Sequence, residues 1–168
     1  MAYVPGVLLI LAIIVLALGG MAWGWRRRTR RDAGLAAPTG AATGATLGAY
    51  TGLYVATTRH DAPLDRLAIR HLAFRSRVTV TVTSDGVALD LPGAPTVFLD
   101  RARLVAADRA TWTIDRVVER DGLVRIVWRA DGDAVCDSYI RLQSDRPDAL
   151  VASVRGLLTD TELTGADT

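Results

Sequence analysis

The chain contains no lysine and no asparagine, and among its 168 residues it has one cysteine and two histidines. Arginine therefore supplies all 20 basic side chains, a bias that fits a GC-rich coding sequence better than it fits any chemistry. A single cysteine, Cys136, excludes an intramolecular disulfide. Its setting, Ala-Val-Cys-Asp-Ser-Tyr, reads as a strand, where a thiol serves as a small buried hydrophobe. His60 and His71 lack a second ligand at the spacing of a zinc site, and His60-Asp61 reads as a solvated loop pair. The patterns Gly-x-Ser-x-Gly, Gly-x-x-x-x-Gly-Lys and Gly-x-Gly-x-x-Gly are missing, and Asp131-Gly132-Asp133 lacks the other ligands of a calcium loop. With no nucleophile, base or metal set, the chain is expected to be no enzyme and to carry no cofactor.

Charge is also missing from residues 3–25, which include an unbroken aliphatic run over 7–18. About 20 such residues cross a hydrocarbon core, so this segment reads as one transmembrane helix. Tyr3 at one end, and Trp23 and Trp25 at the other, suit the headgroup layers. Arg26, Arg27, Arg28, Arg30 and Arg31 follow at once, so the positive-inside bias places the N-terminus outside and the remainder in the cytoplasm, at the plasma membrane. A cleaved signal peptide would show the reverse charge order. Gly20 and Gly24 form a Gly-x-x-x-Gly pair, a candidate contact for helix dimerisation.

The basic segment 26–32 is followed at 33–49 by a stretch rich in Gly, Ala and Thr with no apolar period. It reads as a flexible linker with a root-mean-square span of roughly 20–25 Å. Setting aside the five juxtamembrane Arg and Asp32 leaves 15 Arg against 17 acidic residues over 33–168. The domain is thus slightly acidic, and the overall pI near 9.1 is no argument for nucleic acid. The arginine cluster is explained by topology and by attraction to anionic lipid.

Residues 50–158 read as one mainly β domain. A first strand is expected at 52–58. Val78, Val80 and Val82 alternate with threonines, and Ser84-Asp85-Gly86 turns the chain into a second hairpin arm at 87–91, with Gly86 expected to supply a positive φ. Short extended pieces follow at 96–99, 104–107 and 110–115, then a second hairpin at 124–129 and 135–142. The period then changes: Leu150, Val151, Val154, Leu157 and Leu158 form one helical stripe, with Asp145 as N-cap and Pro147 in the first turn. Residues 159–168 read as a disordered tail, and 63–72 as a short amphipathic helix with Leu64, Leu67, Ala68 and Leu72 inward.

About seven strands closed by a C-terminal helix suggest a compact barrel, and this order resembles the pleckstrin-homology-like (PH-like) superfold. The chain resembles small membrane-anchored proteins with a PH-like domain from high-GC Gram-positive bacteria. The resemblance rests on Leu53-Tyr54-Val55-Ala56-Thr57-Thr58, Leu64-Asp65-Arg66, Phe74-Arg75-Ser76-Arg77, Val80-Thr81-Val82-Thr83, Leu123 to Trp128 and Asp137-Ser138-Tyr139. Such proteins are sometimes labelled transporters or export proteins, although one span without a polar intramembrane residue forms no pathway alone. The expected function is a membrane-tethered interaction module that binds a protein partner or a second copy of itself, by its strand edges or beside the terminal helix, with the anchor supplying location. An accessory subunit of a transport or export complex is the alternative. Lipid-binding PH domains hold phosphate with a basic residue followed by basic-x-basic; here Arg66, with Arg75 and Arg77, matches in outline, making these the candidate contacts to anionic lipid headgroups.

Overall fold

The computed structural model describes residues 4–110, 122–132, 134–143 and 146–164. Helix α1 (Val4–Arg31) continues past the apolar run without a break and ends in Arg28, Arg30 and Arg31, basic residues that complement the helix dipole. Its segment Gly6–Arg31 is long and apolar enough to cross a membrane. At Gly20 and Gly24 an added Cβ would meet nothing within 4 Å.

Among the described residues eight antiparallel strands follow. They are β1 (Thr46–Arg59), β2 (Ala62–Arg66), β3 (Ser76–Thr83), β4 (Gly86–Asp90), β5 (Val97–Asp100), β6 (Leu104–Ala110), β7 (Leu123–Arg129) and β8 (Val135–Leu142). The sheet runs in the order β5-β4-β3-β1-β8-β7-β6, with β2 paired to the end of β1. Strand β1 is the hinge of this order. Its first part, Thr46 to Tyr54, pairs with β3, and its second, Gly52 to Arg59, pairs with β8, with a register shift between Tyr54 and Ala56. Helix α2 (Pro147–Thr164) lies mainly against β6, with lesser contact to β1 and β7. A mainly β barrel closed by a terminal helix is the expected architecture.

The alternation read from sequence places the core. Val78, Val80 and Val82 of β3, Val87 and Leu89 of β4, and Val97 and Leu99 of β5 are buried together with Ile126, Trp128 and Ile140. Leu150, Val151, Val154 and Leu157 close the cluster from α2. Inside it a polar chain runs from the Tyr54 hydroxyl to Thr57 Oγ1, on to Ser138 Oγ at 2.9 Å, which also accepts from Trp128 Nε1 at 2.9 Å. Every member thereby has a partner, which a buried hydroxyl or indole requires. Burial pushes the Tyr54 phenol up to about 12 despite those hydrogen bonds, so it stays protonated.

Four expectations need correction. The flexible linker at 33–49 is instead a strap on the domain. Leu35 and Ala37 pack against the core. Phe98 N donates to Pro38 O, Gly40 N to Thr96 O and Asp131 N to Ala36 O, and Thr39 bridges Val97. Its residues lack an apolar period because backbone bonds to β5 and to Asp131 hold most of the strap, with side-chain packing confined to positions such as Leu35 and Ala37. For the same reason β1 begins at Thr46 and not at 52: Thr46 to Thr51 are laid against β3 by main-chain bonds. Residues 63–72 form no helix. Pro63 lies within β2, His71 takes a φ of 69°, and Leu67, Ile69 and Leu72 turn inward while Leu64 points out. Finally, α2 runs on to Thr164, past residue 159 where a tail was expected. The expected strand at 110–115 lies outside the described residues beyond Ala110, as does the Asp145 cap.

Gly86 is needed for a different reason from the one expected. Its φ is not among the positive ones, which belong to Gly44, Gly93 and Gly132. An added Cβ would instead lie 2.2 Å from Leu99 O, a backbone atom of β5 with no room to retreat. Gly86→Ala is therefore expected to destabilise the domain by about 1–3 kcal/mol, as overpacking does. Thermal melts should show a loss of several degrees, whereas Thr79→Ala, on the exposed side of β3, should change little.

Candidate functional site

The two ends of the strap meet the domain differently, and the end next to α1 carries the densest set of polar contacts. Asp32, the residue after the helix, is 1% exposed. Its carboxylate accepts from Arg31 Nε at 2.7 Å and from the backbone N–H of Ala68 at 3.0 Å. Arg31 also donates from Nη2 to Asp65 Oδ1 at 2.9 Å, and Asp65 Oδ2 accepts from Arg59 Nε at 3.2 Å. The relay Asp32, Arg31, Asp65, Arg59 thus ties α1 to β2 and to the end of β1. Burial alone would raise Asp65, but its bonds to Arg31 and Arg59 outweigh it and hold this carboxyl below its ordinary value.

A second contact lies lower on the helix. The Trp25 and Phe74 rings stack with centroids 5.7 Å apart and planes 18° from parallel. Seven residues of helix separate Trp25 from Asp32, a rise of about 10 Å, so the domain grips α1 at two levels. Between the levels is a notch of about 200 Å³ lined by Trp25, Arg28, Arg66, Leu67, Ala68, Ala73 and Phe74.

Of the arginines expected to meet lipid, only Arg66 faces this notch. Its Nη2 donates to Val55 O at 3.3 Å, and its Nε is buried without a partner. Arg77 stands opposite Leu53, while Arg66 stands opposite Thr58. Five residues of β1 separate those positions, roughly 15 Å along the strand. Arg75 is exposed and outside the notch lining. The three do not converge at one point; Arg66 instead faces Arg28 of the helix. Within the juxtamembrane cluster Arg31 belongs to the relay, Arg27 lies over the Trp23 ring at 5.8 Å, and Arg26, Arg28 and Arg30 remain exposed.

A second polar cluster joins His60, Asp61 and Asp137, whose ligand atoms lie within 4.8 Å of one another. Asp137 is 1% exposed and receives His60 Nδ1 at 2.7 Å, while Arg125 approaches its other oxygen at 3.5 Å and grips Asp108 with two bonds. The three could offer one atom each to a cation, yet the guanidinium beside Asp137 already balances its charge. The set reads as an ion-pair network bracing β6, β7 and β8. Cys136, next in the chain, is fully buried, and burial pushes its thiol up to about 11, which leaves it unreactive.

Sequence reasoning missed Asp32, Asp65, Trp25 and Phe74 as one site. Asp32 looked like the end of a basic run, and only its position after an uninterrupted helix hints that its carboxylate turns inward.

Residues 33–155 match the family model described as "Bacterial PH domain-like". The chain belongs to this family. The match begins at Ala33, directly after Asp32, so the strap is part of the PH-like domain and α1 is joined to it without a spacer. No curated protein matches the chain. PH-like domains are generally binding modules without catalysis, in keeping with a site made of ion pairs and stacked rings.

Asp32→Ala should leave the Ala68 amide without its acceptor and Arg31 with Asp65 as its carboxylate partner, costing about 1–3 kcal/mol. Hydrogen exchange is expected to rise at Ala68 while the amides of β7 and β8 stay protected. Because Asp65 is held below its ordinary value, its contribution is whole above about pH 4 and fades as pH falls through the lowered value. The protection factor of the Ala68 amide, taken relative to its intrinsic exchange rate at each pH, should therefore fall below about pH 4 in the wild type, and less so in Asp65→Asn.

Proposed function

We propose that this protein is a membrane-tethered interaction module. Helix α1 spans the plasma membrane with its N-terminus outside, the arginines of 26–31 face the cytoplasm, and the PH-like domain binds a protein partner or a second copy of the chain. The observation that carries this reading is the grip between α1 and the domain: the Asp32, Arg31, Asp65 relay at one level and the Trp25 and Phe74 stack at another. A free tether would only concentrate a domain near the membrane. A gripped domain also keeps one orientation, so a membrane-bound partner meets the same face each time and the ordering cost of binding falls. The strap narrows the surfaces on offer, because the outer edge of β5 is already paired with residues 38–40.

The alternative, an accessory subunit of a transport or export complex, would use α1 itself as the contact. The open face at Gly20 and Gly24 favours it, since close helix approach needs small residues.

Exchanging residues 4–21 for an unrelated apolar sequence, while keeping 22–32 and hence the grip, separates the two. Crosslinking in native membranes is expected to recover the same partner with the exchanged helix. Loss of that partner, with the domain still folded and inserted, would transfer the function to the membrane helix.

A further inference from the structure

The ion-pair network around Asp137 has one pole open to solvent, at the turn between β1 and β2. Arg59 pairs with Ala62, so His60 and Asp61 are the two residues of that turn, and His60 N donates to Val135 O at 3.2 Å, which pins the turn to β8. We propose that His60 Nε2 and Asp61 Oδ2 bind a divalent transition-metal cation of the zinc class, with Asp137 as the positioning residue behind the imidazole. Such a site goes beyond the interaction-module reading and does not depend on it.

The buried carboxylate selects the tautomer of the ring. Asp137 is 1% exposed, and its Oδ1 lies 2.7 Å from His60 Nδ1. As the anion that Arg125 balances, Asp137 only accepts, so the ring hydrogen sits on Nδ1 and the lone pair on Nε2 is left for a ligand. Arg125 stands 3.5 Å from Asp137 Oδ2 and spends its two short bonds on Asp108. Oδ2 has no hydrogen-bond partner, so among the described residues His60 is the sole side chain that donates to this carboxylate. A carboxylate behind an imidazole fixes the ring orientation and raises the basicity of its free nitrogen.

On the outer side of the ring, Nε2 and Asp61 Oδ2 are 3.5 Å apart. That exceeds the usual N–H···O distance of about 2.7–3.2 Å, and two lone pairs facing each other repel unless a cation lies between them. With metal–ligand bonds of about 2.0–2.2 Å, atoms at this spacing subtend roughly 105–120° at the metal, close to the tetrahedral angle. Asp61 is exposed, and among the described residues its only ion-pair partner is His60; the guanidinium nearest in the chain, Arg59, is taken by Asp65 at 3.2 Å. One imidazole nitrogen with one carboxylate oxygen suits zinc, nickel or copper, whereas magnesium and calcium take oxygen donors. Two protein ligands leave the remaining positions to water, so the site exchanges its metal and is no closed structural centre. Sequence spacing hides it, because the residue that orients the ring lies 77 positions away.

The test uses the untagged full chain in phosphatidylcholine nanodiscs at about pH 7.5, above the ordinary histidine range, titrated with zinc chloride and read by ¹⁵N spectra of the histidine rings and amide shifts of residues 59–62. Without metal, His60 is expected as the neutral tautomer with its hydrogen on Nδ1. Zinc should shift Nε2 and these amides saturably, and magnesium should leave them in place. His60→Gln should abolish the shifts, Asp61→Asn should weaken zinc binding about tenfold, and His71→Gln should leave it unchanged. Asp137→Asn should weaken binding about 10–100-fold and lose the preference for hydrogen on Nδ1. Unchanged β7 and β8 amides show that this buried variant folds, and the exposed turn variants decide the matter if it does not. A His60 ring that keeps hydrogen on Nε2 in excess zinc would overturn the site. So would shifts that persist in His60→Gln, or equal zinc affinity at His71, which would reduce binding to that of any exposed histidine.

Discussion

A carboxylate shut away from water at the end of an apolar helix must be met by donors or give up its charge, because desolvating an unpaired ion costs several kcal/mol. Asp32 is met by two, the guanidinium of the preceding residue and the backbone N–H of Ala68 in the middle of the domain. That requirement decides where the domain can sit. Ala68 must stay beside the helix end, which draws β2 and the connection behind it against α1, brings Asp65 to Arg31 and sets Phe74 over Trp25. The stack and the relay are consequences of the same placement. The strap after Asp32 then has no slack, and it follows the edge of β5 to reach β1.

The barrel is built to tolerate this load on one side. Strand β1 crosses from one half of the sheet to the other, and its far end carries both Arg59 of the relay and the pairing with β2. Force applied at the helix therefore reaches β8 through main-chain bonds rather than through a loop. On the other side Asp137, Arg125 and Asp108 join β8, β7 and β6 by charge, and the hydroxyl chain from Tyr54 to Trp128 closes the interior. The partly exposed ion pairs of the relay add little stability each. Their value is geometric, since four groups in series admit one arrangement of helix and domain.

Much of the fold was legible in the residues. Three valines alternating with threonines announced β3, Ser84 and Asp85 marked a hairpin, and the stripe from Leu150 to Leu157 marked α2, because in each case side-chain burial has a period that matches the backbone. What was not legible depends on partners distant in sequence. Residues 33–49 carry no pattern of their own, and their order comes from carbonyls and amides of β5 and β3. Leu67, Ile69 and Leu72 admit either period, and the choice was made by the bond from Leu67 N to Thr57 O, which continues the sheet. Of the candidate lipid contacts, Arg66 was readable as a basic residue near the membrane. Its pairing with Arg28 was not, since it requires knowing that Asp65 is spent on Arg31 and Arg59.

The central claim is that helix and domain move as one body at the membrane surface. Backbone ¹⁵N relaxation of the full chain in a lipid nanodisc measures this directly, because the rotational correlation time of the β3, β7 and β8 amides reports whether the domain tumbles with the disc or apart from it. The account predicts the slow tumbling of the whole disc for these amides, and a shift to faster, independent tumbling in Asp32→Ala with Phe74→Ala. Fast independent tumbling of the wild-type domain would contradict it.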